Sequence, residues 1–323
     1  MRISVAAAGL LLAFSALATA QNYPARPINM IIPFAAGGPT DVLGRVMAQR
    51  MSEVLGQQVV VENVGGAGGM TGSKRVADAA ADGYSFVLGT VGTHAQGQTL
   101  YKRPLYSSVN DFTPVALVAE VPIILTVRKD LPVSNFKEFV AYAKTNQSKM
   151  QFGSAGAGSA THLGCVLLNY ILGTNINHIP YRGTGPAMQD LAGGRIDFLC
   201  EIITTAKPQV DGGTVKALAI FDKERSPALP NLPTALEQGT EKLEAYTWNA
   251  MFLPRNAPAD IVRKLNDAAV EAKNTPAVRD RLQGLGARIV SDERATPQYL
   301  GQFVKSEIEK WAAPIKASGV SVD

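Results

Sequence analysis

The stretch Ile28-Asn29-Met30-Ile31-Ile32-Pro33-Phe34-Ala35-Ala36-Gly37-Gly38-Pro39-Thr40-Asp41 decides the fold. Its first five residues are almost wholly apolar and too few for a helix, which predicts a buried strand, and Pro33 to Gly38 then turns the chain. Thr40 or Asp41 can cap a helix. Behind them Val42, Leu43, Val46, Met47, Met51, Val54 and Leu55 recur at the three-and-four spacing of one helical face, and Gly56 ends the run. Strand, glycine-rich turn and amphipathic helix form half of a parallel α/β unit.

Working outward, the same rhythm recurs. Val59-Val60-Val61 predicts a second strand, residues 65–69 a turn, a helix runs to about Ala80, and Ser85 to Leu88 supplies a third strand. A second series begins with strand Ile123 to Val127 and a helix near Phe136 to Ala143. It continues through strand Gln151 to Gly153, a helix from Thr161, strand Ile176 to Ile179 and a helix from Gly185. Strand Ile196 to Leu199, a helix near Lys207 and strand Val215 to Ile220 complete it. The Pro-rich segment Ser226 to Pro233 reads as an extended crossing between lobes. Strand Tyr246 to Leu253 follows, then helices from Pro258 and Pro276. The last helix carries Leu300, Phe303, Val304, Ile308, Trp311 and Ile315 on one face. The expectation is an α/β protein of two lobes, residues 21–122 with 227–323 and residues 123–226, with a ligand cleft between them.

The N-terminus reads as an export signal. Arg2 precedes an apolar run from Val5 to Leu17, and Ala18-Thr19-Ala20 has the small-residue spacing of a cleavage site. Residues 1–20 are therefore expected to be removed, and a run this short does not span a bilayer. No Cys stands at or just after that point to accept a lipid anchor, so the mature protein is expected to be soluble in the periplasm.

With 46% hydrophobic and 18% charged residues the chain has the composition of a globular protein, not of a disordered one. Its net charge of +4 is spread along the sequence without a basic run, which argues against nucleic acid as a partner. Cys165 and Cys200 lie in apolar segments. Export would permit a disulfide, free cysteines are often simply buried as small hydrophobes, and sequence leaves the choice open.

Catalytic and cofactor motifs fail at identifiable residues. In Gly66-Ala67-Gly68-Gly69-Met70-Thr71-Gly72-Ser73-Lys74, Ser73 separates the last glycine from the lysine of a phosphate-binding loop, and Thr71 occupies the third glycine of a dinucleotide fingerprint. Gly156-x-Gly158 ends likewise in Thr161. No Gly-x-Ser-x-Gly elbow occurs, and Ser134-x-x-Lys137 lacks the companion motifs of its class. His94, His162 and His178 are scattered without metal-ligand spacing. No catalytic residue, metal or cofactor is expected.

Three loops offer binding instead. Residues 35–41, 89–94 and 154–162 are rich in Gly and in hydroxyl residues, and each follows a predicted strand. Where a helix starts directly behind such a loop, unpaired amides and the positive end of the helix dipole favour a carboxylate without a formal charge.

These same residues carry a family resemblance. Ile31 to Asp41, Val60-Val61-Glu62-Asn63, Ala81-Asp82-Gly83-Tyr84, Gly153-Ser154-Ala155-Gly156 and His178-Ile179-Pro180-Tyr181-Arg182-Gly183 together resemble the substrate-binding receptors of tripartite tricarboxylate transporters. The resemblance runs from about Tyr23 to the C-terminus and takes in Ser226-Pro227-Ala228-Leu229-Pro230 and the Trp248 region. It implies a type II periplasmic binding-protein fold that closes by hinge motion over a small organic anion and delivers it to membrane transporter subunits. One ligand carboxylate would be held by ordered water and by the backbone of two loops, residues 34–41 and 154–162. The far end would be read by residues 90–98, 181–184 and 201–204. The candidate ligand-binding residues are Phe34, Ala36, Gly37, Gly38, Thr40, Asp41, Thr90, Thr93, His94, Ser154, Ala155, Gly156, Ser159, Thr161, His162, Tyr181, Arg182 and Glu201. Glu201 departs from the family's usual Asp, and residues 92–96 from its usual neighbourhood. The expected ligand is an aliphatic dicarboxylate or an aromatic carboxylate such as terephthalate, with Phe34, Tyr181 and Trp248 as flat apolar surfaces. The expected protein is a monomer and not an enzyme. An exported hydrolase or transferase, or a receptor presenting its ligand to a signalling partner, are the alternatives.

Overall fold

A computed structural model describes residues 23–322; the export signal expected at residues 1–20 lies outside them. The described chain opens with β1 (Ile28–Ile32), α1 (Pro39–Leu55), β2 (Val59–Asn63), α2 (Met70–Ala77), β3 (Ser85–Thr90) and a short α3 (Gly97–Leu100). A long strand β4 (Phe112–Arg128) leads into α4 (Phe136–Asn146), β5 (Gln151–Ser154), α5 (Ala160–Leu172), β6 (Asn177–Pro180) and α6 (Thr184–Ala192). Then come β7 (Phe198–Ile202), α7 (Ile203–Asp211) and β8 (Val215–Ile220). The chain closes with β9 (Tyr246–Pro254), α8 (Ala259–Asn274), α9 (Pro276–Gly284), β10 (Arg288–Ile289) and α10 (Pro297–Ser318).

The strands pair in the order β2-β1-β3-β9-β4-β7-β5-β6, with β8 and β10 also on β4. β1 runs parallel to β2 and β3, and β5 parallel to β6 and β7, as the α/β rhythm requires. β9 and β4 are antiparallel to their neighbours. β4 is the structural link between the two groups of strands. Phe112 to Pro122 pairs with β9, and Ile123 to Val127 with β7. The sequence showed only the second half of this strand as a strand. Pro114 and Pro122 interrupt the first half, and the register shifts between Pro114 and Ala116 and between Leu117 and Ala119 absorb the irregularity.

The Pro-rich segment 226–233 is not the crossing it was expected to be. Its end is stitched to β8 by Ile220 N–H to Pro233 O (3.0 Å) and Ala235 N–H to Ile220 O (2.9 Å), and the side chain of Gln238 donates to Leu218 O (2.9 Å). The chain passes back at Ala245, whose amide bonds Phe221 O and whose carbonyl accepts from Ile123 N–H. Beyond it Trp248 is fully buried, donating from Nε1 to Glu307 Oε2 of α10 (3.0 Å) and stacking edge-on against Phe303. Cys165 of α5 and Cys200 of β7 form a disulfide, with Cα atoms 5.4 Å apart. The choice that sequence left open is thus settled by the pairing of a helix with the strand beneath it.

Candidate functional site

The first turns of four helices meet at one cavity. Its wall takes Pro39 and Thr40 from α1, Ser159, Ala160 and Thr161 from α5, Thr184 from α6, and Ile202 ahead of α7. Phe34, Thr90, Ala155 and Thr247 complete the lining. Each helix start leaves backbone N–H groups without intrahelical partners and presents the positive end of its dipole. The lining residues include no Lys or Arg, so attraction for an anion comes from amides, dipoles and hydroxyls.

Of the candidates named from sequence, Phe34, Thr40, Thr90, Ala155, Ser159 and Thr161 stand in this wall. The others are not among the lining residues. Asp41 does not cap α1; the cap position is Gly38, without a side-chain bond. The Asp41 carboxylate reaches back, accepting from Gly37 N–H (2.9 Å), Arg45 Nε (3.0 Å) and Asn63 Nδ2 (2.9 Å), and Asn63 also donates to Phe34 O. Burial alone would raise the pKa of Asp41, but these bonds from Arg45, Gly37 and Asn63 hold it below the ordinary carboxylate value. Its acceptor capacity goes to bracing the loop that carries Ala36 and Gly37, and a carboxylate facing an anion would repel it.

His94 is a correction of a different kind. A single wide turn over Gly92–Gln96 rotates its ring inward, where it stacks on Phe252 at 4.0 Å and meets Phe112 at 4.7 Å. Burial pushes the imidazole down to about 3, and Nδ1 bonds the Thr93 hydroxyl at 2.8 Å. Thr93 itself props the turn: its hydroxyl accepts from Thr90 N–H, and Tyr106 donates to its carbonyl. Neither residue lines the cavity.

In the α5 loop, Ser154 Oγ accepts from Gly156 N–H (3.0 Å) and pairs with His178 Nε2 (2.7 Å). Gly158 N–H donates to His162 Nδ1 (3.1 Å), which places the proton of that neutral ring on Nε2. Burial, with a smaller push from His178, lowers His162 to about 3; burial lowers His178 to about 4. The two rings lie 4.2 Å apart. Ser159 caps α5, accepting from His162 N–H and donating to Gly156 O, and Thr161 Oγ1 accepts from Ala155 N–H. Tyr181 turns its hydroxyl to Asp190 (2.7 Å), away from the wall, and Arg182 contributes its carbonyl, which accepts from Ala35 N–H across the cleft mouth (2.9 Å). A second tie crosses nearby: the Tyr101 hydroxyl lies 2.7 Å from Ala67 O and 2.8 Å from Ala157 O. A Cβ at Gly68 would fall 2.1 Å from Ala157 O, so the closeness of the two sides requires glycine there.

Glu201 lies fully buried beside the wall residues Ile202 and Thr184. Its Oε1 accepts from Ile202 N–H (2.9 Å) and Thr205 Oγ1 (2.8 Å), while Oε2 has no hydrogen-bond partner among the described residues. Thr184 Oγ1 and Thr204 Oγ1 are likewise buried without partners. Burial lifts the Glu201 carboxyl to about 7, against the pull of Thr205, Ile202 and Thr184. Pro39, Ala160, Thr184 and Ile202 fell inside stretches that the sequence pointed to without being singled out. Thr247, on β9, carried no signal, because only strand pairing brings it to the cleft.

Comparison with known proteins agrees with this geometry. The family model described as "Tripartite tricarboxylate transporter family receptor" matches residues 43–320. A UPF0065 protein of Agrobacterium vitis, from the intergenic region between ttuE and ttuC', is 42% identical over 298 residues, covering 92% of this chain and 86% of that protein. The structure of the periplasmic binding protein BugD superposes with a TM-score of 0.90 at 41% identity, over 93% of this chain and 99% of BugD. MatC of Rhodopseudomonas palustris with bound malate superposes with a TM-score of 0.88 at 39% identity, over 91% of this chain and all (100%) of MatC. The two-lobed α/β fold, the cleft of converging helix starts and a family match over most of its length establish that the chain belongs to the receptor family of the tripartite tricarboxylate transporters.

Proposed function

We propose that the protein is a soluble periplasmic receptor that captures a small aliphatic carboxylate, foremost a dicarboxylate, and hands it to a tripartite membrane transporter. The observation that carries this reading is the convergence of the α1, α5, α6 and α7 starts on one cavity lined with hydroxyls. Malate in MatC supports the ligand class. An aliphatic ligand fits this wall better than an aromatic one such as terephthalate. Phe34 is the sole aromatic among the lining residues, while Trp248 is committed to Glu307 and Tyr181 to Asp190. Closure would bend the two crossings at Pro122 to Ile123 and at Ala245 to Tyr246, with residues 1–20 removed on export and the mature protein acting as a monomer.

The test is mass spectrometry of what the protein carries. The full chain is expressed in a Gram-negative host, recovered from the periplasmic fraction, and its bound small molecules are released by denaturation. A small organic acid at up to one equivalent is expected, on a chain whose intact mass begins at Gln21. A bound sugar or an organic cation would overturn the reading.

A further inference from the structure

Among the described residues, two buried oxygens beside the cavity are without hydrogen-bond partners, and they belong to neighbouring side chains. Thr184 Oγ1 is on a residue of the wall; Glu201 Oε2 lies behind it. The Thr184 hydroxyl bears on the Glu201 carboxyl without completing a hydrogen bond to it. A buried donor or acceptor left unmade is costly, so a residue pair of this kind marks a place where a ligand finishes the network.

The surroundings decide how it is finished. β4 sets Ile124 beside Glu201, α7 supplies Thr204 and Thr205, α6 supplies Thr184, and α5 lies over the adjacent Cys200 through the disulfide. The charged groups of these helices are engaged elsewhere: Asp190 with Tyr181 and Arg195, Lys207 with Asp211, and Asp41 of α1 with Arg45. No cation among the groups acting on Glu201 offsets a negative charge there. An ionised Glu201 beside a bound carboxylate would also place two anions next to one cavity.

We propose that Glu201 is a positioning residue for ligand selection: as the neutral acid it donates Oε2–H to Thr184 Oγ1, which turns the single Thr184 hydrogen toward a carboxylate of the ligand. The proposal rests on the carboxylate reading of the cleft. When Glu201 ionises, the Thr184 hydrogen turns back to Oε2 and the ligand meets lone pairs instead of a donor. Binding a fully ionised dicarboxylate above neutral pH therefore takes up one proton, which lands on Glu201. Its carboxyl, lifted to about 7 by burial, puts that change within reach of ordinary pH.

Isothermal titration of the purified mature protein with malate and with adipate, from pH 6.5 to 9, tests this, since both probes are fully ionised throughout. For wild type the affinity should fall toward tenfold per pH unit above about 7. Glu201→Gln, whose amide donates at every pH, should bind tightly with no such dependence. Thr184→Val should bind weakly and flatly. A flat wild-type profile, affinity that rises with pH, or a Glu201→Gln variant weak at every pH would each overturn the proposal. Failure of every carboxylate to bind at any pH would instead overturn the carboxylate reading. A ligand-free arm then still reads Glu201: the infrared difference between wild type and Glu201→Gln should show a protonated carboxyl at pH 6 that is lost by pH 9. A carboxylate signature throughout would overturn the proposal whether or not a probe binds.

Discussion

At the scale of single residues, acidic and imidazole groups near the cleft do their work by facing away from it. Asp41 looked like a helix cap and a ligand contact because it follows a glycine turn; its three donors show that it is a brace. Asp41→Ala should weaken carboxylate binding about tenfold, since loop 34–38 loses its anchor, and should lower stability by about 1–3 kcal/mol in chemical denaturation. Glu201 carries a stability signature of its own. Its folded value near 7 lies above the ordinary 4.5, so the folded chain holds a proton that the unfolded chain releases. Stability from this group is present below about 4.5 and is lost as pH rises to about 7. Glu201→Gln should therefore gain up to about 3 kcal/mol over wild type at pH 8 relative to pH 4. An equal difference at both pH values in urea titrations would refute that account. His94 shows why part of the site was not legible. A polar residue in a glycine-rich loop reads as exposed, and only the inward rotation of the Gly92–Gln96 turn onto Phe252 makes it core.

At the scale of elements, the strand, turn and helix over residues 28–55 were legible because apolar runs and glycines there agree with the structure, whose strand and helix fall on Ile28–Ile32 and Pro39–Leu55. β4 was legible only in part. Two prolines mask its first half, and its pairing with β9 joins residues far apart in sequence. For the same reason Thr247 could not be foreseen in the wall. Tyr101 ties the two sides of the cleft, with its backbone held by the bonds that join Leu100 and Lys102 to Val322. Tyr101→Phe should leave the fold intact and speed ligand release by about tenfold in stopped-flow dissociation, the effect of one lost hydrogen bond on the closed form. The disulfide fixes α5 to β7, closing a separation of 35 residues. Replacing both cysteines with alanine should cost about 4 kcal/mol of stability, by the chain-entropy estimate for a loop of that length. Denaturation midpoints under non-reducing conditions check it.

At the scale of the whole molecule, all three histidines of the sequence are held neutral by burial, at values of about 3, 3 and 4. The unfolded chain binds protons at these sites from about pH 6.5 downward and the folded chain does not. Their contribution is therefore complete above that pH and is lost as pH falls from about 6.5 to about 3. Glu201 acts in the opposite direction but is one group against three, so thermal unfolding should show greatest stability at about pH 7 and above and a steep decline on the acid side. The arrangement as a whole joins two lobes through β4 and the return at Ala245, and gathers four helix starts at the cleft between them. Its central claim is that this cleft holds a small carboxylate through neutral donors. The most direct measurement is calorimetric titration at pH 6.5 of ligand-stripped protein against malate, succinate and adipate, with glucose and lysine as controls. One-to-one binding of at least one dicarboxylate, with Kd about 10 μM or tighter and no response to the controls, is the predicted result. Binding of glucose or lysine with no heat from any carboxylate would contradict it.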